Sequence, residues 1–186
     1  MFIKKLEYYS DLAKINLEFN SILEKSSWGT KNQIGLKCRP GSDDRWFDST
    51  GSLHDSVSMK KIYNESDFSD WNLSEDSYIR QQIEFLENNH NFKCGRVRIM
   101  RLLPHTGLSV HRDTEMRYHL VLKTNRYSYI AHNVIDNNPI RSTLPTTSVC
   151  YHLPMDSNWY EVDTREVHWV YNGGMEERIH LVVCGL

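Results

Sequence analysis

Residues 95–124, GRVRIMRLLPHTGLSVHRDTEMRYHLVLKT, decide how the rest of the chain is read. Side chains alternate along it: Val97, Ile99 and Arg101 against Arg98, Met100 and Leu102, then Met116 and Tyr118 against Arg117 and His119. A period of two marks β-strands. Inside the stretch stands His111-Arg112-Asp113. Residues two apart on an extended strand point to the same side, so His111 and Asp113 face one way. A neutral imidazole and a carboxylate converging there make two-thirds of a 2-His-1-carboxylate facial triad, the ligand set of non-haem iron(II) centres. The third ligand has to come from elsewhere. Residues 162–183, VDTREVHWVYNGGMEERIHLVV, offer His168 on a second strand-like segment. Taken alone, His-x-Asp fits a surface pair beside Arg112 equally well, and a lone histidine is ambiguous. The assignment rests on what surrounds these residues.

Working outward, residues 127–131, 148–153, 159–162, 167–171 and 178–183 are short, rich in Val, Tyr, Trp and Ile, and separated by turn residues. Asn137-Asn138-Pro139 and Asn172-Gly173-Gly174 are the clearest turns. Toward the N-terminus the period changes. Apolar residues over 2–23 recur at steps of three and four, predicting an amphipathic helix. Ser74 followed by Glu75 and Asp76 predicts a second helix start, with Ile79, Ile83 and Leu86 on one face and an end near Asn88-Asn89. Between residues 28 and 55, glycines and Pro40 punctuate a long loop region with one strand candidate at 33–37. Long ordered loops are often functional, so Trp28, Arg39, Arg45 and Trp46 are candidates for a substrate rim; alternatively the two tryptophans cover the edge of the core.

Helices first and then many short strands exclude a doubly wound α/β fold. The pattern predicts a mainly β protein, a sandwich or jelly roll with N-terminal helices packed outside. We read residues 1–186 as a single domain, with 1–92 a helical and loop N-terminal part and 93–186 the jelly-roll core carrying the metal site. A formal charge of −2 and a pI near 6.5 argue against non-specific nucleic-acid binding. No apolar run approaches the ~20 residues of a membrane span. Charged residues interrupt the N-terminus too often for a signal-peptide core. Cys38, Cys94, Cys150 and Cys184 form no CxxC pair, which fits reduced thiols and a cytoplasmic address.

Arg178 lies ten residues after His168, beyond the Gly-Gly turn. In a strand with Ile179, Leu181 and Val183 on one face, it shares the other face with His180 and Val182. A mid-strand arginine in so apolar a run needs an anion, either Glu161, Asp163 or Glu176, or the carboxylate of a ligand, which a guanidinium grips with two prongs. Arg117 and His119 likewise share a face. They bound an acidic ligand if that face is internal and are ordinary surface residues if it is not.

With these residues assembled, residues 98–124 and 159–183 resemble the aspartyl/asparaginyl β-hydroxylase family, iron(II)/2-oxoglutarate oxygenases on a double-stranded β-helix, a cupin-like jelly roll. The resemblance is carried by Pro104, His111, Arg117-x-His119-x-x-Leu122, His168-x-x-x-Asn172 and Arg178. It implies that His111 and His168 bind iron, that Arg178 grips the distal carboxylate of 2-oxoglutarate, and that Arg117 and His119 contact the end nearer the metal. Asp113 stands where better-known animal members carry glycine, and completes the triad of the wider superfamily. Met100 stands where those members place a small hydroxyl residue beside the cosubstrate. The implied activity is hydroxylation of an unactivated C–H bond with iron(II), 2-oxoglutarate and dioxygen. The implied substrate is an amino acid or a peptide or protein side chain of Asp, Asn or Pro type, with no nucleic-acid or membrane partner. The alternatives are a cupin-type metalloenzyme that does not use 2-oxoglutarate and a non-enzymatic jelly-roll binding module.

Overall fold

Two antiparallel sheets enclose the site, and the larger of them has two chemically opposite faces. The computed structural model describes residues 1–134 and 147–186; the turn expected at 137–139 lies outside them. In chain order the elements are β1 (Ile3–Tyr9), α1 (Leu12–Lys25), β2 (Gln33–Gly35), β3 (Lys37–Cys38), a 3-10 turn (Glu65–Asp67), β4 (Asp70–Trp71), α2 (Tyr78–His90), β5 (Cys94–Leu102), β6 (Thr106–His111), β7 (Met116–Lys123), β8 (Ser128–Val134), β9 (Thr147–Tyr151), β10 (Asn158–Val162), β11 (His168–Asn172) and β12 (Arg178–Gly185). The larger sheet runs β1-β10-β7-β12-β5-β2 and the smaller β6-β11-β8-β9, with β3 and β4 forming a separate two-stranded ribbon. This is the jelly roll that the strand pattern predicts.

One face of the larger sheet is apolar. Val97 and Ile99 of β5, Leu120 and Leu122 of β7, and Ile179, Leu181 and Val183 of β12 pack against Ile15, Phe19 and Ile22 of α1 and Ile79, Ile83 and Leu86 of α2. Each such aliphatic side chain contributes about 1.5–3 kcal/mol on full burial. The helices therefore sit outside, as expected. Asp11 caps α1 by accepting from Ala13 N (3.0 Å) and Lys14 N (3.3 Å). Ser77, three residues later than the sequence suggested, caps α2 by accepting from Arg80 N (3.1 Å), and Asn91 ends it at φ 51°. Neither helix is long and apolar enough to cross a membrane.

Residues 2–23 are not one helix. Their first third is β1, paired antiparallel with β10 through Ile3↔Val162, Lys4↔Glu161 and Lys5↔Tyr160. As an edge strand it buries little beyond Leu6, so its side chains do not alternate cleanly, and a helical period can be read across the break at Ser10-Asp11. The N-terminal part thus supplies two strands of the larger sheet, β1 and β2, besides its helices.

The turn between β11 and β12 aims Arg178. Asn172 is fully buried: its amide donates to Leu102 O (3.1 Å), Leu103 O (3.1 Å) and Glu176 O (2.8 Å), and its Oδ1 accepts from Asn125, Ser128 and Gly174 N. A Cβ on Gly174 would fall 2.2 Å from Asn125 Oδ1, so that position has no room for a side chain. Removing the amide orphans several buried groups at once. Asn172→Ala is expected to cost about 3 kcal/mol or more in urea unfolding; a loss near zero would mean that the turn holds its shape without the network.

Candidate metal and cosubstrate site

β6 and β11 run side by side with His111 and His168 as opposed residues. Their ring centroids are 4.2 Å apart at an interplanar angle of 53°. Asp113 lies two residues past the end of β6, and its N–H donates to Thr164 O (2.9 Å), which ties the bend to the approach of β11. One ligand atom from each of His111, Asp113 and His168 lies within 4.8 Å of the others. Hydrogen bonding decides which nitrogen each ring offers. His111 Nδ1–H donates to Ser109 O at 2.6 Å and His168 Nδ1–H to Glu166 O at 2.9 Å. A carbonyl only accepts, so the proton sits on Nδ1 in both rings and the Nε2 lone pairs are left for a metal. Burial, helped by nearby His111 and Arg117, holds His168 below its usual 6.5, keeping it in the neutral, ligating form. Two neutral imidazoles and one carboxylate on two adjoining elements fit a facial iron(II) site.

The inner face of the larger sheet is cationic. Arg96 and Arg98 of β5, Arg117 of β7 and Arg178 of β12 are all buried, as are His119 and His180. On this face, among the described residues, Glu65 is the one buried carboxylate. It accepts from Arg96 Nε (2.8 Å) and Nη2 (2.9 Å), and from Arg117 Nη2 (2.9 Å). Burial alone would raise its pKa, but Arg96 and Arg117 overrule that and hold it at about 2. Arg117 Nε also lies 3.3 Å from Asp113 Oδ2. Expected on the cosubstrate, Arg117 is thus engaged between Glu65 and the triad carboxylate. Among the described residues Arg98 reaches only Gln33 Oε1 (3.2 Å), and burial, with Arg96 and Arg117 beside it, lowers its pKa to about 9.

Arg178 has no carboxylate partner among the described residues; neither Glu161, Asp163 nor Glu176 pairs with it. Its one hydrogen bond runs from Nη2 to His180 Nδ1 (3.1 Å), and burial lowers its pKa to about 9, still cationic at neutral pH. With His119 it lines a cavity of about 210 Å³, walled also by Met100, Val170, Leu108 and Val182. Val170 is two residues from His168 on the same face of β11, roughly 7 Å along the strand, so the cavity approaches the triad. Burial, then Arg178, Arg117 and His168, push His119 well below 6.5.

The rim foreseen at residues 28–46 is built differently. Arg39 Nε donates to Asp48 Oδ1 (3.0 Å) and its guanidinium stacks on Tyr63. Arg45 donates to Asn72 Oδ1 (3.1 Å) and Trp71 O (2.8 Å). Trp28 and Trp46 pack on the core. None of the four lines the cavity, whose lining from this part of the chain is Lys31, Asn32 and Gln33. The sequence reading places His180 on the face of Arg178 without giving it a role, and singles out neither Glu65 nor Arg96. Arg96 carried a usable signal, since Arg-Val-Arg-Ile alternates as β12 does; Glu65 sits in a loop without a period.

The family described as Aspartyl/Asparaginyl beta-hydroxylase matches residues 67–184. No curated protein matches the sequence. Among solved structures, a 2OG-Fe(II) oxygenase family oxidoreductase from Burkholderia pseudomallei is 14% identical, covers 99% of this chain and 84% of its own, and superposes with a TM-score of 0.55. A viral collagen prolyl hydroxylase from Paramecium Bursaria Chlorella virus-1, solved as a 2OG complex, gives 11%, 99%, 94% and 0.52 for the same quantities. A prolyl-4-hydroxylase from Pseudomonas putida gives 10%, 99%, 91% and 0.51. At these identities the structures are alike in fold.

Glu65 generates a pH prediction. Its folded pKa of about 2 lies below the ordinary 4.5, so its ion pairs stabilise the protein fully above pH 4.5 and lose that contribution as pH falls toward 2. Glu65→Gln is expected to remove about 3 kcal/mol at pH 7 and to flatten the loss of stability between pH 4.5 and 2, as read by urea midpoints across pH. An unchanged acid limb would show that the carboxylate is not held this way.

Proposed function

The chain belongs to the aspartyl/asparaginyl beta-hydroxylase family and is an oxygenase of the 2OG-Fe(II) type, and from that premise we propose that it hydroxylates an Asp, Asn or Pro side chain of an amino acid, peptide or protein. The single observation that carries the cosubstrate assignment is Arg178: a buried guanidinium on a cavity wall that meets no carboxylate among the described residues. A buried charge without a counterion is costly, and a dicarboxylate entering the cavity would supply one.

In this reading His111 and His168 lend Nε2 and Asp113 a carboxylate oxygen to iron(II). The metal, when bound, supplies the dioxygen activation that couples decarboxylation of 2-oxoglutarate to C–H oxidation. Arg117, itself fixed by Glu65, holds Asp113 rather than the cosubstrate. Arg178 grips the distal carboxylate of 2-oxoglutarate in a bidentate, charge-assisted contact. His119 bounds the same cavity, and Met100, Leu108, Val170 and Val182 keep water from its walls. Residues 1–186 act as one oxygenase domain. A cytoplasmic address is part of the proposal, supported by free thiols at Cys38, Cys94, Cys150 and Cys184.

Screening free amino acids and peptides for substrate-stimulated 2-oxoglutarate turnover tests the substrate class directly. Manganese(II) titration is expected to fail in His111→Ala and His168→Ala and to weaken in Asp113→Ala; undiminished affinity in His168→Ala would remove that residue from the site. Arg178→Ala is expected to raise the 2-oxoglutarate requirement about 30- to 1000-fold, the equivalent of about 2–4 kcal/mol, while leaving metal affinity unchanged. Arg178→Lys is expected to recover part of the loss, because a point charge cannot reproduce the fork. Normal turnover in Arg178→Ala would assign the arginine a structural role instead.

A further inference from the structure

His180 is buried in the middle of β12, and neither the metal ligands nor the cavity wall includes it. Two groups nevertheless converge on one of its atoms. Arg178 Nη2 lies 3.1 Å and His119 Nδ1 3.3 Å from His180 Nδ1. A guanidinium only donates, so Nδ1 of His180 is the acceptor and its ring proton sits on Nε2. That nitrogen is buried with no partner among the described residues, which is the cost of this arrangement. Two lone pairs facing each other at 3.3 Å would repel, so His119 carries its own proton on Nδ1 and donates as well. Both wall residues are thereby tied to one unprotonated nitrogen behind the wall. The ionisable groups around His180 are Arg178 on its own strand, His119 on β7 and, farther off, His152. A strand face made only to pack would place an aliphatic residue here, as it does at Val182 on the same face.

We propose that His180 is the positioning residue of the carboxylate clamp: through Nδ1 it holds the Arg178 guanidinium in its gripping rotamer and fixes the tautomer of His119. A long arginine left free in a cavity samples many rotamers, and ordering it on binding weakens affinity; a tether set beforehand removes that cost. This inference rests on the cavity being the 2-oxoglutarate site.

The test compares His180→Leu, similar in bulk but without an acceptor, with His180→Asn, whose Oδ1 can stand near the place of Nδ1. Binding of 2-oxoglutarate to the manganese-loaded protein is measured by calorimetry beside Arg178→Ala. His180→Leu is expected to bind 2-oxoglutarate about 10-fold more weakly, the decade that corresponds to 1.4 kcal/mol. Its manganese affinity and its turnover at saturating 2-oxoglutarate are expected to stay within about twofold, and His180→Asn to recover most of the loss. In the unaltered protein, nitrogen-15 shifts are expected to show the His180 proton on Nε2 and the His119 proton on Nδ1. Wild-type affinity in His180→Leu, equal losses in the Leu and Asn variants, or a proton on Nδ1 of His180 overturns the proposal. If His180→Leu does not fold, the tautomer measurement on the unaltered protein decides alone. Arg178→Ala separates the two failures: normal 2-oxoglutarate binding there overturns the reading of the cavity itself, whereas weakened binding there with a normal His180→Leu overturns only the role given to His180.

Discussion

Among the described residues, the inner face of the larger sheet holds four buried guanidinium groups and one buried carboxylate, and the charge pattern of the interior follows from that imbalance. Glu65 balances Arg96 and Arg117 by direct contact. Asp113 is drawn in by Arg117, so the charge excess also places a candidate metal ligand. Arg98 and Arg178 remain with neutral partners, Gln33 and His180. Leaving cations in that condition is expensive in a low-dielectric interior unless another molecule completes the balance. The barrel is thus prepared for anions before any enters.

The cost is contained because the larger sheet separates its two tasks by face. Along β12, Ile179, Leu181 and Val183 fasten to the helices while Arg178, His180 and Val182 look inward. The helices and the outer core supply rigidity that the polar interior cannot. Pairing with β5, Arg178 opposite Leu102, fixes the register of Arg178, and a slip of one residue would turn it out of the barrel.

That two-faced strand is also why much of the site was legible in the sequence. An arginine interrupting an apolar alternation announces an internal anion requirement, and His111 and Asp113 follow from the same period of two. The turn at Asn172 to Gly174 marked where β12 begins. What stayed hidden is non-local. Glu65 meets Arg96 from 31 residues away and lies in a segment with no repeat, so nothing near it in the chain betrays its partner. Residues 3–9 read as helix because an edge strand that buries little beyond Leu6 loses its alternation. The alternation leaves the facing of Arg117 open, and its engagement with Glu65 depends on a loop whose path no pattern encodes.

Glu65 limits where this barrel can be cut. The family match begins at residue 67, so the counterion of Arg96 and Arg117 comes from just outside it, as do β1 and β2. Residues 67–184 excised as a module would carry those two arginines into the barrel with no acid between them. The segment ahead of the matched region is therefore part of the electrostatic closure of the barrel rather than an appendage to it. A chimera that exchanges this segment for another inherits the obligation to bring a carboxylate to the same spot.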